Sequence, residues 1–233
     1  AYALHEMHLR AAEATGEAAS MHAAYKRAMQ ADLRMSEREE VQNRYIAMLL
    51  YQERAGGFIA ELAGRLPSGL LTASGLRGMV PDGVEPEADN PLGEYELRLL
   101  IGLLHQTDRT GVARELFDYG RERFGDTVLL ARQEAELMRD SGTDADRLRA
   151  LDRLAELQPG KRKQWLRERI TLLGRTGGEG LEAAMQELER ISRGDPGVLL
   201  FLAEVERARE RPDAAERFLR EAVRAGDEDA VEA

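Results

Sequence analysis

The sequence predicts an all-α fold in which helical hairpins stack on one another as an α-solenoid. Three observations predict this fold. Apolar residues recur at helical spacing along nearly all of the 233 residues. Alternating runs of the kind typical of β-strands are missing. Beyond residue 94, helix-breaking turns recur with a period of about 33 residues, which is a typical length for a helical hairpin repeat.

Residues 1–66 are predicted to form an N-terminal helical block of two divergent repeats. The first repeat covers residues 4–33, and the second begins with a long amphipathic helix over residues 37–54. Gly56 and Gly57 then precede a short helix that ends at Leu66. A separate small bundle is the alternative interpretation of this block.

Residues 67–93 are predicted to form a linker between two helical blocks, because prolines and glycines interrupt any helix there. These residues are Pro67, Gly69, Gly75, Gly78, Pro81, Gly83, Pro86 and Pro91. The same range also contains apolar residues, which indicates that the segment lies against a helical surface. They are Leu70, Leu71, Leu76, Met79 and Val80.

Residues 94–233 are predicted to form four repeats. The turn Arg109-Thr110-Gly111 recurs 66 residues later as Arg175-Thr176-Gly177, and further turns lie at residues 140–143 and 211–213. After each turn, a small residue, a bulky residue one helical turn later and a third small or apolar residue share one face. The four sets are Ala113, Phe117, Gly120; Ala150, Leu154, Leu157; Ala184, Leu188, Ile191; and Ala215, Leu219, Ala222.

This pattern predicts close packing between paired helices, because the small residue lets two helix backbones approach and the bulky residue fills the adjacent groove. One hairpin cannot bury both of its apolar faces, so each hairpin stacks on the next. Proline or glycine is predicted to end each second helix. These ends are Gly125-Asp126, Gln158-Pro159-Gly160, Asp195-Pro196 and Gly226-Asp227.

Residues 94–229 resemble four tetratricopeptide repeats. That family has a helix–turn–helix of about 34 residues, with a small and then an aromatic residue in the second helix and a closing proline. Ala113 and Phe117 match the small-then-aromatic pair, and Pro159 and Pro196 stand where the closing proline is expected. The Trp-x2-Leu-Gly-x2-Tyr signature of the first helix is absent. The resemblance implies a right-handed superhelix whose concave groove binds protein.

The composition argues against several classes of function. The chain has no cysteine, which excludes disulfides, thiolate metal sites and a cysteine nucleophile. A formal net charge of −10 disfavours binding to nucleic acid. No apolar run is long enough to span a bilayer, so we expect no membrane insertion. Only three of the 33 basic residues are lysine, which suggests a GC-rich bacterial source.

Several motifs resemble sites of known chemistry but lack part of the required pattern. His5, Glu6 and His8 are one residue short of the zincin spacing. The aspartates around Gly142 are interpreted as a helix cap rather than a calcium loop. Residues 174–180 are interpreted as a turn because the Lys-Ser/Thr of a phosphate loop is missing. The basic residues between Lys161 and Arg169 are interpreted as a solvated helix start. We therefore expect no catalytic residue, cofactor or metal site.

Candidate partner-binding residues are those predicted to lie on the concave wall formed by the first helix of each repeat. In the helix that begins at Glu94, the predicted core residues occupy one side and turn other side chains toward a second stripe. The candidates are Tyr95, Arg98, His105, Arg132, Arg139 and Trp165.

The resulting hypothesis is a non-enzymatic scaffold or adaptor that binds a peptide or partner helix. The first alternative is the periplasmic repeat region of a bacterial envelope or exopolysaccharide-export protein. The second is the docking arm of an enzyme whose catalytic domain lies outside this sequence, which we interpret as a fragment of a larger bacterial protein. Either the cytoplasm or the periplasm suits the chain, and its oligomeric state is left open.

Overall fold

The computed structural model describes residues 2–15, 18–80, 91–192 and 194–232, and this part of the chain is helical without any strand. The all-α prediction is therefore confirmed. The α-helices are α1 (Tyr2–Thr15), α2 (Ala18–Gln30), α3 (Met35–Tyr51), α4 (Ala55–Ala63), α5 (Ser68–Ala73), α6 (Glu94–Gln106), α7 (Thr110–Phe124), α8 (Val128–Ser141), α9 (Asp144–Leu157), α10 (Arg162–Thr176), α11 (Leu181–Ser192), α12 (Pro196–Ala208) and α13 (Pro212–Glu232). Short 3₁₀ helices cover Leu76–Met79 and Pro159–Lys161.

The helices group into two compact units, Ala1–Gly125 and Asp126–Ala233. In the first unit, α1 packs against α2, α6 packs against α7, and both α3 and α4 contact α6. Its core includes the rings of Tyr25 and Tyr45, which stack with centroids 4.2 Å apart. These contacts bring helices from before and after residues 67–93 into one compact unit.

In the second unit, each helix packs against the next one along the chain. The most extensive of these contacts joins α12 to α13. Ile170, Leu188 and Leu202 are fully buried in its larger core cluster. A second cluster contains Ala131, Leu151, Leu154 and Trp165.

A break between two helices lies at or next to each predicted turn, although Thr110 and Gly111 already belong to α7. The turn before α7 contains Asp108 at φ +59°, and the turn after α10 contains Gly177 at φ +64°. Glycine accommodates this left-handed conformation without a steric penalty, and aspartate is one of the few other residue types that tolerate it. Short turns of this kind allow consecutive helices to pack against one another.

Two details of the last helix were predicted wrongly. Leu219 is 46% exposed, whereas its neighbour Phe218 is 3% exposed and occupies the core between Ala215 and Ala222. Because both residues are bulky and apolar, the sequence pattern fits a helix that buries Leu219 as well as one that buries Phe218. The helix also continues through Gly226 to Glu232, because a glycine lowers helix stability by only about 1 kcal/mol and no proline follows it.

The apolar part of residues 67–93 lies against helices, as expected. Leu71, Leu76 and Val80 are buried, and the 3₁₀ helix Leu76–Met79 packs against α4. Residues 81–90 of the predicted linker lie outside the described residues. Gly56 and Gly57, which were expected before a helix, instead belong to the first turn of α4. None of the described helices combines the length and the apolar character needed to cross a membrane.

Candidate functional site

A groove runs between α2 and α4 in the unit Ala1–Gly125. It consists of one cavity of about 500 Å³ and a second of about 530 Å³. Both cavities are lined by His22, Phe58 and Glu61, so they adjoin each other on either side of these side chains. We call these two adjoining cavities the α2–α4 groove. The volume of each cavity lies within the range of ligand-binding pockets, roughly 300–1,000 Å³.

Each wall of the groove is a stripe along one helix face. The α2 wall consists of Met21, His22, Tyr25, Lys26, Met29 and Gln30, and the α4 wall consists of Gly57, Phe58, Glu61 and Leu62. Both stripes repeat every four residues, which is the spacing that keeps side chains on one side of a helix. At 1.5 Å per residue, the α2 wall is about 13 Å long.

A buried polar network supports the floor of the groove, which α3 and α6 provide. Gln42 is fully buried and donates from Nε2 to the backbone oxygen of Tyr95 at 2.6 Å and to the Tyr25 hydroxyl at 3.3 Å. Arg98 Nη1 donates to Gln42 Oε1 at 2.7 Å, and Arg98 Nη2 donates to Asn43 Oδ1 at 3.3 Å. The network therefore ties α2, α3 and α6 together beneath the groove.

The aromatic and imidazole groups at the groove centre are uncharged at neutral pH. His22 Nδ1 lies 2.9 Å from the Tyr45 hydroxyl, and the His22 ring meets Phe58 edge-on. Burial lowers the pKa of His22, and nearby Lys26 lowers it further. Burial also raises the pKa of Tyr25 to about 12. The centre of the groove is thus formed by rings without formal charge, of which Tyr25, Tyr45 and Phe58 are buried and His22 is half-buried.

Charged side chains lie along the edges of the groove. Arg65 and Glu96 form a two-bonded ion pair with N···O distances of 2.6 and 2.8 Å. Burial alone would raise the pKa of Glu96, but the Arg65 guanidinium and the Gly93 N–H hold this pKa below its usual range. Lys26 and Glu61 are exposed on opposite walls and make no ion pair with each other.

Of the predicted site residues in the first unit, only Tyr95 lines the groove. The Arg38 guanidinium lies over its ring, 5.2 Å from the centroid. Arg98 was expected on an exposed stripe, but its side chain is only 2% exposed, because it serves the buried network described above. His105 lies at the end of α6, where Nδ1 is 3.2 Å from the Thr110 hydroxyl, and it does not line the groove.

The other three predicted site residues belong to the second unit. Arg132 is half-buried on α8, and Arg139 is exposed, with Nε 3.3 Å from the Asp140 carboxylate. Trp165 was proposed as a surface anchor, but it is 8% exposed and packs in the core cluster with Leu151 and Leu154. The indole therefore contributes to folding of this unit.

The aspartates around Gly142 and the basic cluster between Lys161 and Arg169, both interpreted as structural, make contacts within the second unit. Thr143 Oγ1 accepts from the Asp146 N–H, and the Asp146 carboxylate accepts from the Thr143 N–H, which confirms a helix cap. In the basic cluster, three cations form ion pairs and Arg167 lies over the Phe201 ring. The pairs are Arg162–Glu187, Lys163–Asp195 and Arg169–Asp152. Among the described residues, no cluster of three or more metal-binding side chains occurs.

Sequence reasoning did not identify the groove residues on α2 and α4. Neither His22 nor Phe58 had an assigned role in the sequence analysis. Their position depends on the space left between two helices, which no local pattern encodes. Gly56 and Gly57 lie in the first turn of α4, and a Cβ added at either would meet no atom within 4 Å. Packing within the described chain therefore does not require these glycines.

Comparisons with known proteins assign no family to the chain. No family model matches it, and no curated protein matches it significantly.

Proposed function

We propose that the protein is a non-enzymatic interaction module of stacked helical hairpins that binds a peptide or partner helix in the α2–α4 groove. The observation that carries this proposal is the groove itself, whose centre is uncharged and whose edges carry charged side chains. Binding surfaces that bury a few aromatic anchors inside a polar rim concentrate their binding energy in those anchors. His22, Met29 and Tyr95, which are the half-buried side chains of the groove with apolar or aromatic surface, would supply these anchors.

The tetratricopeptide-like stacking is part of the same proposal. In the second unit, the packing of each helix against the next supports it. Repeats that contact mainly their sequence neighbours form extended surfaces, and such surfaces bind peptides.

The test blocks the groove without damaging the fold. In Gly57→Leu, the new side chain enters the groove, because Gly57 lines it and has open space around its Cβ position. Gly56→Leu is the matched control, because Gly56 has the same open space on the same helix turn but does not line the groove. Both changes replace a helical glycine, so each is expected to raise the free energy of unfolding by up to about 0.8 kcal/mol.

The binding assay uses peptides that the wild-type protein enriches from a displayed random library. Titration calorimetry is expected to show that Gly57→Leu weakens binding by at least about tenfold, which corresponds to 1.4 kcal/mol. Gly56→Leu is expected to bind these peptides like the wild type. Equal affinities in both variants, or a library that yields no enriched peptide, would overturn the proposal.

A further inference from the structure

His22 lies in the wall shared by the two cavities of the α2–α4 groove, and its imidazole connects α2 to two neighbouring helices. Its Nδ1 is 2.9 Å from the hydroxyl of Tyr45 on α3. Its ring meets Phe58 of α4 edge-on, with centroids 5.4 Å apart. Tyr45 and Phe58 are both buried. The charge of this one imidazole therefore acts on contacts of α2 with both α3 and α4.

The hydrogen bond between His22 and Tyr45 favours the neutral imidazole. Among the described residues, the Tyr45 hydroxyl has no other hydrogen-bond partner. A buried hydroxyl proton needs an acceptor, and the unprotonated nitrogen of a neutral imidazole is one. The pairing therefore assigns the imidazole proton to Nε2, with the Tyr45 O–H donating to Nδ1 of His22.

Protonation of His22 reverses this hydrogen bond. Nδ1 then carries a proton and donates to the Tyr45 oxygen, so the hydroxyl proton of Tyr45 turns away and finds no second acceptor among the described groups. A buried polar group without its partner disfavours the folded state. The new positive charge also lies beside the buried Phe58 ring and one helical turn from Lys26.

The charged groups around His22 do not compensate for this proton. Among the described residues, no carboxylate forms an ion pair with His22. Burial has the largest effect on the pKa of His22 and lowers it; Lys26 on α2 lowers it further, whereas Glu61 on α4 raises it. The net result is a pKa below the ordinary value of 6.5. The other charged residues that line the two cavities are Arg38, Glu53, Arg54, Arg65, Glu94 and Glu96.

We infer that His22 and Tyr45 form an acid-sensitive latch of the first unit, in which uptake of one proton by the imidazole reverses their hydrogen bond and loosens α2 from α3 and α4. Because His22 lines both cavities, the shared wall of the groove loosens with it. The inference goes beyond the proposed function, since it concerns the stability of the unit whatever the groove binds.

The test compares urea unfolding of the first unit at about pH 7.5 and about pH 5.5. Unfolding is followed by near-ultraviolet circular dichroism of the tyrosines, all of which precede residue 126. Because the pKa of His22 is lowered in the folded state, the unfolded chain binds the proton more readily. The stability from the neutral imidazole is therefore fully present above pH 6.5 and is lost as the pH falls below that value. The wild-type midpoint is expected at lower urea at the lower pH.

The second unit provides an internal control. Residues 126–233 contain no histidine and include the single tryptophan, Trp165. The unfolding transition that tryptophan fluorescence reports is therefore expected to shift less between the two pH values than the tyrosine transition.

Three variants identify the groups responsible for the shift. His22→Gln keeps an acceptor for the Tyr45 hydroxyl but takes up no proton, so most of the shift is expected to disappear. Tyr45→Phe keeps the ring that stacks on Tyr25 and removes the hydroxyl, so the shift is expected to shrink. His105→Gln is the matched control, because His105 belongs to the same unit but does not line the groove. It is expected to keep the wild-type shift.

Nuclear magnetic resonance of the histidine Cε1–H groups tests the latch without relying on unfolding. The signal missing from His22→Gln identifies His22. Its pKa is expected to lie below 6.5 in the wild type. Tyr45→Phe is expected to raise this pKa, because the hydrogen bond that favours the neutral form is gone. A wild-type pKa at or above 6.5, equal wild-type midpoints at the two pH values, or a shift that persists in full in His22→Gln or Tyr45→Phe would overturn the inference.

Discussion

Replacing Gln42 by leucine is expected to lower the free energy of unfolding of the unit Ala1–Gly125 by about 3 kcal/mol. Leucine has a similar volume, so the change removes polar contacts rather than packing. Gln42 accepts from the buried Arg98 guanidinium and donates to Tyr95 O and Tyr25 Oη. The charged hydrogen bond contributes about 2 kcal/mol, and each neutral one contributes about 0.5 to 1 kcal/mol.

The assay can follow the two units separately because of where the aromatic residues lie. All six tyrosines precede residue 126, and the single tryptophan, Trp165, belongs to the second unit. Urea unfolding is therefore followed by tyrosine circular dichroism in the near ultraviolet for the first unit and by tryptophan fluorescence for the second. The tyrosine transition of Gln42→Leu is expected at lower urea than that of the wild type.

A double variant separates the loss of the buried hydrogen bonds from a general loss of packing. Gln42→Leu/Arg98→Leu removes the buried cation together with its acceptor. Its destabilisation is expected to be at least about 1 kcal/mol smaller than the sum of the two single variants. A shift below about 0.5 kcal/mol for Gln42→Leu, or additive effects in the double variant, would refute the network as a source of stability.

Three further predictions concern local contacts, each measured by urea unfolding. Glu96→Gln is expected to destabilise the first unit by about 1 kcal/mol at pH 7. Because the pKa of Glu96 is lowered in the folded state, this difference shrinks as the pH falls below the ordinary value of 4.5; a constant difference down to pH 3 would contradict the ion pair. Thr143→Ala is expected to lower the free energy of unfolding measured by tryptophan fluorescence by about 1 kcal/mol, since it removes a helix cap. An unchanged free energy of unfolding would contradict the cap. Phe218→Ala is expected to lower the free energy of unfolding by about 3 to 4 kcal/mol, and Leu219→Ala by less than about 0.5 kcal/mol. A larger loss for Leu219→Ala would mean that Leu219 faces the core, as the sequence pattern predicted.

The secondary structure could be predicted from the sequence because its signals are local. Helical spacing, glycine and proline at turns, and the Thr143 cap all act within a few residues of the backbone that they shape. The sequence signal became ambiguous where two registers bury equally apolar residues, as with Phe218 and Leu219. Continuation of α13 through Gly226 shows that a glycine weakens a helix without ending it.

The candidate site could be predicted only in part, because it depends on contacts between distant helices. Tyr95 was selected and does line the groove. Arg98 was selected because the predicted core residues of its helix turn it toward a second stripe. Gln42, which lies 56 residues earlier in the chain, provides the acceptor that permits its burial. The groove itself arises where α2 and α4 leave space over α3 and α6, and no spacing within either helix indicates a space of that kind.

Amide chemical-shift mapping of the full chain, with a peptide selected by the wild-type protein, locates the binding surface. If the α2–α4 groove binds the peptide, the perturbed amides are expected to concentrate in residues 21–30 of α2 and in residues 57–65 of α4 and its end, around His22 and Phe58. Perturbations confined to the unit Asp126–Ala233, or to outward-facing positions such as Leu219 and Val223, would contradict it.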